Sequence, residues 1–211
     1  MKLSSQSFAE GDWIPAEYAF CRPAETGHAC LSDNISPHLA WEEAPAGTRS
    51  FVLICHDPDV PSRGDDVNQE GRSVPASLPR VDFFHWLLVD LPASVTELAR
   101  GSFSEGVTPG GKPGPQAAQG SRQGINDYTA WFAGDESMRG DYYGYDGPCP
   151  PWNDELRHRY VFTVYALDVA SLTLGERFNG AEVRKAMEGH VLAQASLTGL
   201  YSLNPAVRPP A

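Results

Sequence analysis

Two carboxylates held between prolines, Asp57-Pro58-Asp59-Val60-Pro61, follow directly on an apolar run, Phe51-Val52-Leu53-Ile54. A second apolar run, Phe83-Phe84-His85-Trp86-Leu87-Leu88-Val89, has one histidine inside it. Gly147-Pro148-Cys149-Pro150-Pro151 then precedes His158-Arg159-Tyr160, which opens a third apolar run over 161–167. Each strand-like segment thus carries polar groups at or near one end. If those ends meet, they line a small polar pocket suited to a compact anion. His85 and His158 supply donors there, and become cations if a bound anion raises their pKa. In the 147–151 loop only Gly147 and Cys149 keep a backbone N–H, because proline has none. A rigid loop with a few such donors can cradle an oxyanion at small entropic cost. Asp57 is the exception, since a carboxylate repels phosphate. It can orient a histidine, accept the proton of a monoprotonated phosphate, or attract an ammonium group.

Taken singly, each feature has an ordinary structural explanation. A histidine in an apolar strand is usually a hydrogen-bonded core residue. Asp57-Pro58-Asp59 reads as a turn in which Asp side chains bond nearby backbone N–H groups. The 147–151 loop can be rigid for its own sake. It is their combination, each beside a strand end, that favours a binding site. Gly106-Val107-Thr108-Pro109-Gly110-Gly111-Lys112 has the spacing of a phosphate-binding P-loop, but Pro113 stands where the magnesium-ligating hydroxyl belongs. No Gly-x-Ser-x-Gly elbow and no His-Glu-x-x-His occurs.

The elements that must position these groups are mostly strands. Segments 51–56, 83–91 and 160–167 are rich in Val, Phe, Tyr and Trp and are bounded by Pro, Gly or Asp. Two of them are almost continuously apolar, as in strands buried on both faces. Residues 36–41 predict a further short strand, and period-two alternation predicts another over 191–201. One helix is expected after Asn179, with Glu182 completing a capping box and Gly189 as the stop. A weaker helical piece is expected around Ser171. Segments 63–82 and 106–124 are long, polar and rich in Gly and Pro, as functional rims are.

The chain has 211 residues, 41% of them hydrophobic and 20% charged, which suits a soluble globular fold with a real core. Its formal net charge of −11 excludes nucleic acid as a partner and allows at most peripheral membrane contact. The first residues lack the apolar core of a signal peptide, so a cytoplasmic location is expected. Cys21, Cys30, Cys55 and Cys149 form no CxxC pair, so no metal is expected. Cys21 and Cys30 could close a small loop, but a reducing cytosol favours free thiols.

Several of these motifs, in this order, resemble the phosphatidylethanolamine-binding protein family, and within it the bacterial Raf-kinase-inhibitor-like branch. They are Ser36-Pro37-His38-Leu39-Ala40-Trp41, Asp57-Pro58-Asp59-Val60-Pro61, His85 in its aromatic strand and Gly124-Ile125-Asn126-Asp127-Tyr128. Gly144-Tyr145-Asp146-Gly147-Pro148, Pro150-Pro151, His158-Arg159-Tyr160 and Val164-Tyr165-Ala166-Leu167-Asp168 follow. The resemblance implies an antiparallel β-sandwich with a few peripheral helices, one near the C-terminus. It implies one domain over 1–211, with insertions near 63–82, 106–124 and 135–142.

Carried over residue by residue, it puts Asp57 and His85 at the base of an anion pocket. Gly147, Pro148, Cys149, Pro150, Pro151 and His158 form its wall, Tyr160 lies close by, and Asp59 and Pro61 shape the turn. Asp127 and Tyr128 fall near it. The implied function is non-enzymatic binding of phosphate, phosphorylated groups or phospholipid head groups, without a cofactor, with regulation of a protein partner and a homodimer both open. Inhibition of a protease or kinase through the surface loops is one alternative. A small hydrolase or thiol enzyme using Cys149 is another. If both histidines meet the anion, binding should strengthen as pH falls from about 8 to about 6.

Overall fold

The computed structural model describes residues 1–209; the last two residues of the expected 1–211 domain lie outside them. The chain is mainly β. Its strands are β1 (Lys2–Ser4), β2 (Cys21–Pro23), β3 (Ala29–Leu31), β4 (Leu39–Glu42), β5 (Ser50–Pro61), β6 (Arg80–Pro92), β7 (Glu97–Leu98), β8 (Arg122–Gln123), β9 (His158–Leu167) and β10 (Val191–Tyr201). Helices α1 (Tyr128–Trp131) and α2 (Gly180–Ala186) lie outside the sheets.

All sheet pairings are antiparallel. The main sheet runs β10-β9-β5-β6-β8, a smaller one runs β1-β4-β7, and β2 and β3 form a hairpin. The near-continuous apolar runs have the expected consequence. Along β5, Phe51, Leu53 and Cys55 join the core beneath the small sheet with Leu39 and Trp41. Val52 and Ile54 point the other way and pack under α2 with Val183 and Met187. The central strands are therefore buried on both faces, with a sheet on one side and a helix on the other.

The helix near the C-terminus forms as its sequence predicts. The Asn179 side chain accepts from the Glu182 N–H (3.1 Å) and the Glu182 carboxylate from the Asn179 N–H (2.9 Å). Gly189 ends this segment at φ +79, a conformation that favours glycine. Two expectations fail. The segment around Ser171 is bent but not helical, and Leu172 is held there by its N–H to the Asp90 carboxylate (2.8 Å). Asp57-Pro58-Asp59 is not a turn: β5 runs through it to Pro61, and the register against β6 shifts between Asp57 and Val60. The side-chain part of that expectation holds, since Asp57 Oδ1 accepts from the Asp59 N–H at 2.8 Å.

Candidate ligand-binding site

Strands β5, β6 and β9 deliver Asp57, His85 and His158 to the same end of the main sheet. A bulge does the decisive positioning. Cys55 pairs with Trp86 and His56 with Phe84, so His85 has no partner on β5. In a regular strand, neighbouring His85 and Trp86 would face opposite ways. The extra residue turns both toward the same side of the sheet. There His85 meets Tyr160 and Tyr128 edge to face, with ring centroids 5.1 and 5.5 Å away. Nothing in the sequence marks this bulge.

The three side chains line one cavity of about 490 Å³, together with Cys149, Pro150, Pro151 and Tyr160. Asp59, Gly147 and Pro148, expected at the ligand, do not line it. Asp59 instead holds Arg159 by paired hydrogen bonds of 2.8 Å. The Gly147 N–H is taken by the Asn34 side chain (2.8 Å), and its carbonyl accepts from the Tyr128 hydroxyl (2.8 Å). A Cβ at Gly147 would lie 2.1 Å from the Tyr18 carbonyl oxygen, so this close approach admits only glycine. The Pro148 carbonyl accepts from the N–H groups of Phe20 and Cys21. Lys112, from the P-loop-like segment, engages the Asp146 carboxylate at 2.6 Å.

The two histidines are opposite in character. His85 Nδ1 lies 2.7 Å from the backbone carbonyl of Asp146, which can only accept, so Nδ1 carries the proton. Burial, only partly offset by Asp57, lowers the His85 pKa to about 4. The ring is neutral near pH 7, and its Nε2 lone pair takes part in no hydrogen bond among the described residues. His158 is buried too, which alone would lower its pKa. The Asp57 charge and the hydrogen bonds His158 donates to Asp154 and Asp57 overcome that and raise it to about 9. Its Nδ1 donates to Asp57 (2.6 Å) and its Nε2 to Asp154 (3.1 Å). The imidazolium has no donor left for a ligand.

Sequence reasoning missed Asp154 and its partner Arg80, whose guanidinium forks onto that carboxylate at 2.5 and 3.0 Å. Asp154 is itself buried, which raises its pKa, but its bonds to His158 and Arg80 hold it below the usual range. Charge at the base is therefore internally matched: the Asp57 carboxylate and His85 Nε2 stand there as acceptors, beside the Tyr160 hydroxyl, a donor directed at Asp57.

The cysteines also depart from expectation. Cys21 is bonded to Cys149, not to Cys30, and the bridge lies in the cavity wall. The β2–β3 hairpin sets Cys30 opposite Arg22, whereas Cys21, at the start of β2, lies against the 147–151 loop. Cys30 and Cys55 are free, and burial followed by the Asp57 charge pushes the Cys55 thiol well up.

Fold and site together define a class: an antiparallel β protein whose central sheet opens at one end into an aromatic-walled cavity with a histidine–carboxylate base. Residues 4–202 match the family described as phosphatidylethanolamine-binding protein. The chain is similar to YbhB of Escherichia coli (strain K12), with 34% identity over 202 residues, 96% of this chain and 100% of the relative. A relative from Aquifex aeolicus (strain VF5) is 34% identical over 201 residues, 95% of this chain and 88% of its own. Among solved structures, E. coli YbcL, reported as a new member of the mammalian PEBP family, superposes with a TM-score of 0.68 at 25% identity, covering 95% of this chain and 97% of that one. CT736 of Chlamydia trachomatis, a candidate PEBP homolog, gives 0.63 at 30% identity, covering 95% and 96%. The chain belongs to the phosphatidylethanolamine-binding protein family.

Proposed function

We propose that the protein is a non-enzymatic binding protein that takes the head group of a small phosphorylated or phospholipid-derived molecule into this cavity. The observation that carries the reading is the unpartnered His85 Nε2 beside the Asp57 carboxylate, at the base of a ligand-sized space. Two acceptors select a head that brings its own proton. A monoprotonated phosphate can donate its hydroxyl to one of them, and so can the ammonium of phosphoethanolamine. A fully ionised phosphate has no proton to offer, so its binding requires one taken from solution, onto the phosphate or onto His85. Proton uptake therefore accompanies binding of the dianion, whereas a head that arrives protonated brings its own.

The availability of nucleophiles supports binding rather than chemistry. The Cys149 sulfur is taken up by the bridge, and the buried Cys55 thiol is held in its unreactive protonated form. The bridge also weighs against the cytoplasmic expectation, because disulfides persist in oxidising compartments. Among the described residues no helix is long and apolar enough to cross a membrane.

The test is titration calorimetry with phosphoethanolamine from pH 8 to pH 5. His158 is already charged over that range, so the steepening expected from two titrating histidines reduces to His85 and the phosphate itself. Affinity should rise continuously toward pH 5, since the free ring titrates near 4 and the phosphate monoester near 6. His85→Ala should weaken binding by about tenfold and flatten the profile to that of the ligand alone. No heat and no thermal shift at millimolar phosphoethanolamine would sink the proposal.

A further inference from the structure

The cavity is far larger than its polar base. At roughly 30 Å³ per water it has room for on the order of fifteen waters, and an inorganic phosphate displaces only a few of them. Above the base the walls are apolar and aromatic. Phe20 stacks on Tyr128 (centroids 4.5 Å, planes 18° apart), and Tyr128 stacks on Phe132 (5.6 Å, 15°). Of the five large apolar side chains most exposed among the described residues, two, Leu31 and Trp131, line this cavity. Trp131 follows Tyr128 by three residues in α1, so one helix turn carries the aromatic surface from His85 out to the rim.

The insertions singled out in the sequence complete that wall, with Val67 from one and Met138 from another. The first is tied down at its tip chiefly by one side chain. Asn153 Nδ2 donates to the carbonyls of Asp66 and Arg72 at 2.8 and 3.1 Å, and its Oδ1 accepts from the Asn68 N–H at 3.0 Å. The wall is preorganised, so a ligand lying on it need not order it.

We propose that the cavity mouth is a second subsite, and that the ligand carries an aromatic or similarly flat apolar body directly attached to its polar head, seated against Trp131, Met138 and Val67. This rests on the reading of the cavity as a ligand site but not on the head being a phosphate. Flat apolar bodies gain most from such a surface, because ring stacking adds to the area removed from water.

The experiment compares three pairs of ligands that differ only in the body: methyl and phenyl phosphate, acetate and benzoate, methylamine and benzylamine. Affinities are measured by calorimetry, with Trp131 fluorescence as a second readout. In at least one pair the phenyl member should bind about tenfold or more tightly than its methyl partner and quench the indole. Trp131→Ala, an exposed position whose loss leaves the core intact, should erase most of that gain and leave the methyl partner unchanged. Methyl phosphate binding with no phenyl gain would overturn the subsite and leave the phosphorylated-head reading standing. A phenyl gain on benzoate or benzylamine, with neither phosphate bound, would uphold the subsite and remove the phosphorylated head. No binding by any of the six would overturn both. A phenyl gain that survives Trp131→Ala and Met138→Ala would place the ring elsewhere and overturn the subsite.

Discussion

His85 and His158 share a cavity yet are held in opposite protonation states, and stability should record both. Between about pH 4 and 6.5 an unfolded chain protonates His85 while the folded one does not, so stability rises with pH. Between about 6.5 and 9 the folded chain keeps the His158 proton that the unfolded chain has lost, so stability falls with pH. The two slopes meet in a maximum near pH 6.5, each worth on the order of 3 kcal/mol over its full range. Melting curves from pH 4 to 10 should show the maximum. His85→Gln should flatten the acid limb and His158→Gln the alkaline one, even though the latter variant starts from a lower stability. An unchanged alkaline limb in His158→Gln would mean that the imidazolium is not held between Asp57 and Asp154. At this scale the sequence was informative about which residues meet and silent about their states. Asp57, His85 and His158 were legible because each stands beside an apolar run. The neutrality of His85 follows from its burial and its tautomer from one backbone carbonyl, that of Asp146, while the charge of His158 depends on Asp57 and Asp154. No residue spacing encodes these contacts.

Among the elements, β5, β6, β9, β10 and α2 were readable because periodicity and capping are local properties. What escaped were the places where local preference is overruled. Asp57-Pro58-Asp59 has the composition of a turn, yet pairing with β6 keeps the strand extended as far as Pro61, beyond the end of the β9 register at His56. The bulge at His85 is a two-strand property that neither strand shows alone. The 63–82 segment reads as a free polar loop, but Asn153 and Glu155 tie it to the stretch that supplies Asp154. Glu155 accepts from the Ser73 hydroxyl (2.6 Å) and the Ala76 N–H (3.0 Å). Asn153→Ala should therefore loosen the insertion at a cost of about 1–3 kcal/mol, because it leaves several half-buried backbone groups without partners. Amide exchange should accelerate at Asn68 and its neighbours, and proteolysis should cut between residues 64 and 79. Exchange rates like those of the wild type would show that Asn153 is not the clamp. The same change should lower affinity for any ligand with an apolar body more than for one that is a head group alone, since Val67 moves with the loop.

At the scale of the molecule, a surplus of negative charge surrounds a cavity whose only exposed cation is Arg63 at the rim, among the residues that line it. Binding of any anion is then a matter of contacts at the base and not of long-range attraction. The Cys21–Cys149 bridge acts on the same scale. It joins residues 128 apart in sequence, a pairing no spacing rule could have suggested, and it lies in the cavity wall. Its two effects are separable. Closing so long a loop restricts the unfolded chain and stabilises the fold by roughly 4–5 kcal/mol in the chain-entropy view. The wall itself does not depend on the bridge alone, since Asn34, Tyr128, Phe20 and Cys21 hold Gly147 and Pro148 by hydrogen bonds. Reduction with dithiothreitol should therefore lower the melting temperature by roughly 10 °C, as expected for a chain of this size. At 20 °C the reduced protein, still folded, should bind within about threefold of the oxidised affinity. Free-thiol titration confirms the reduction, and calorimetry with the tightest ligand in hand reads the outcome. Loss of binding in a reduced protein that retains its near-ultraviolet circular dichroism would show that the sulfur bridge, and not the hydrogen-bonded loop, shapes the cavity wall.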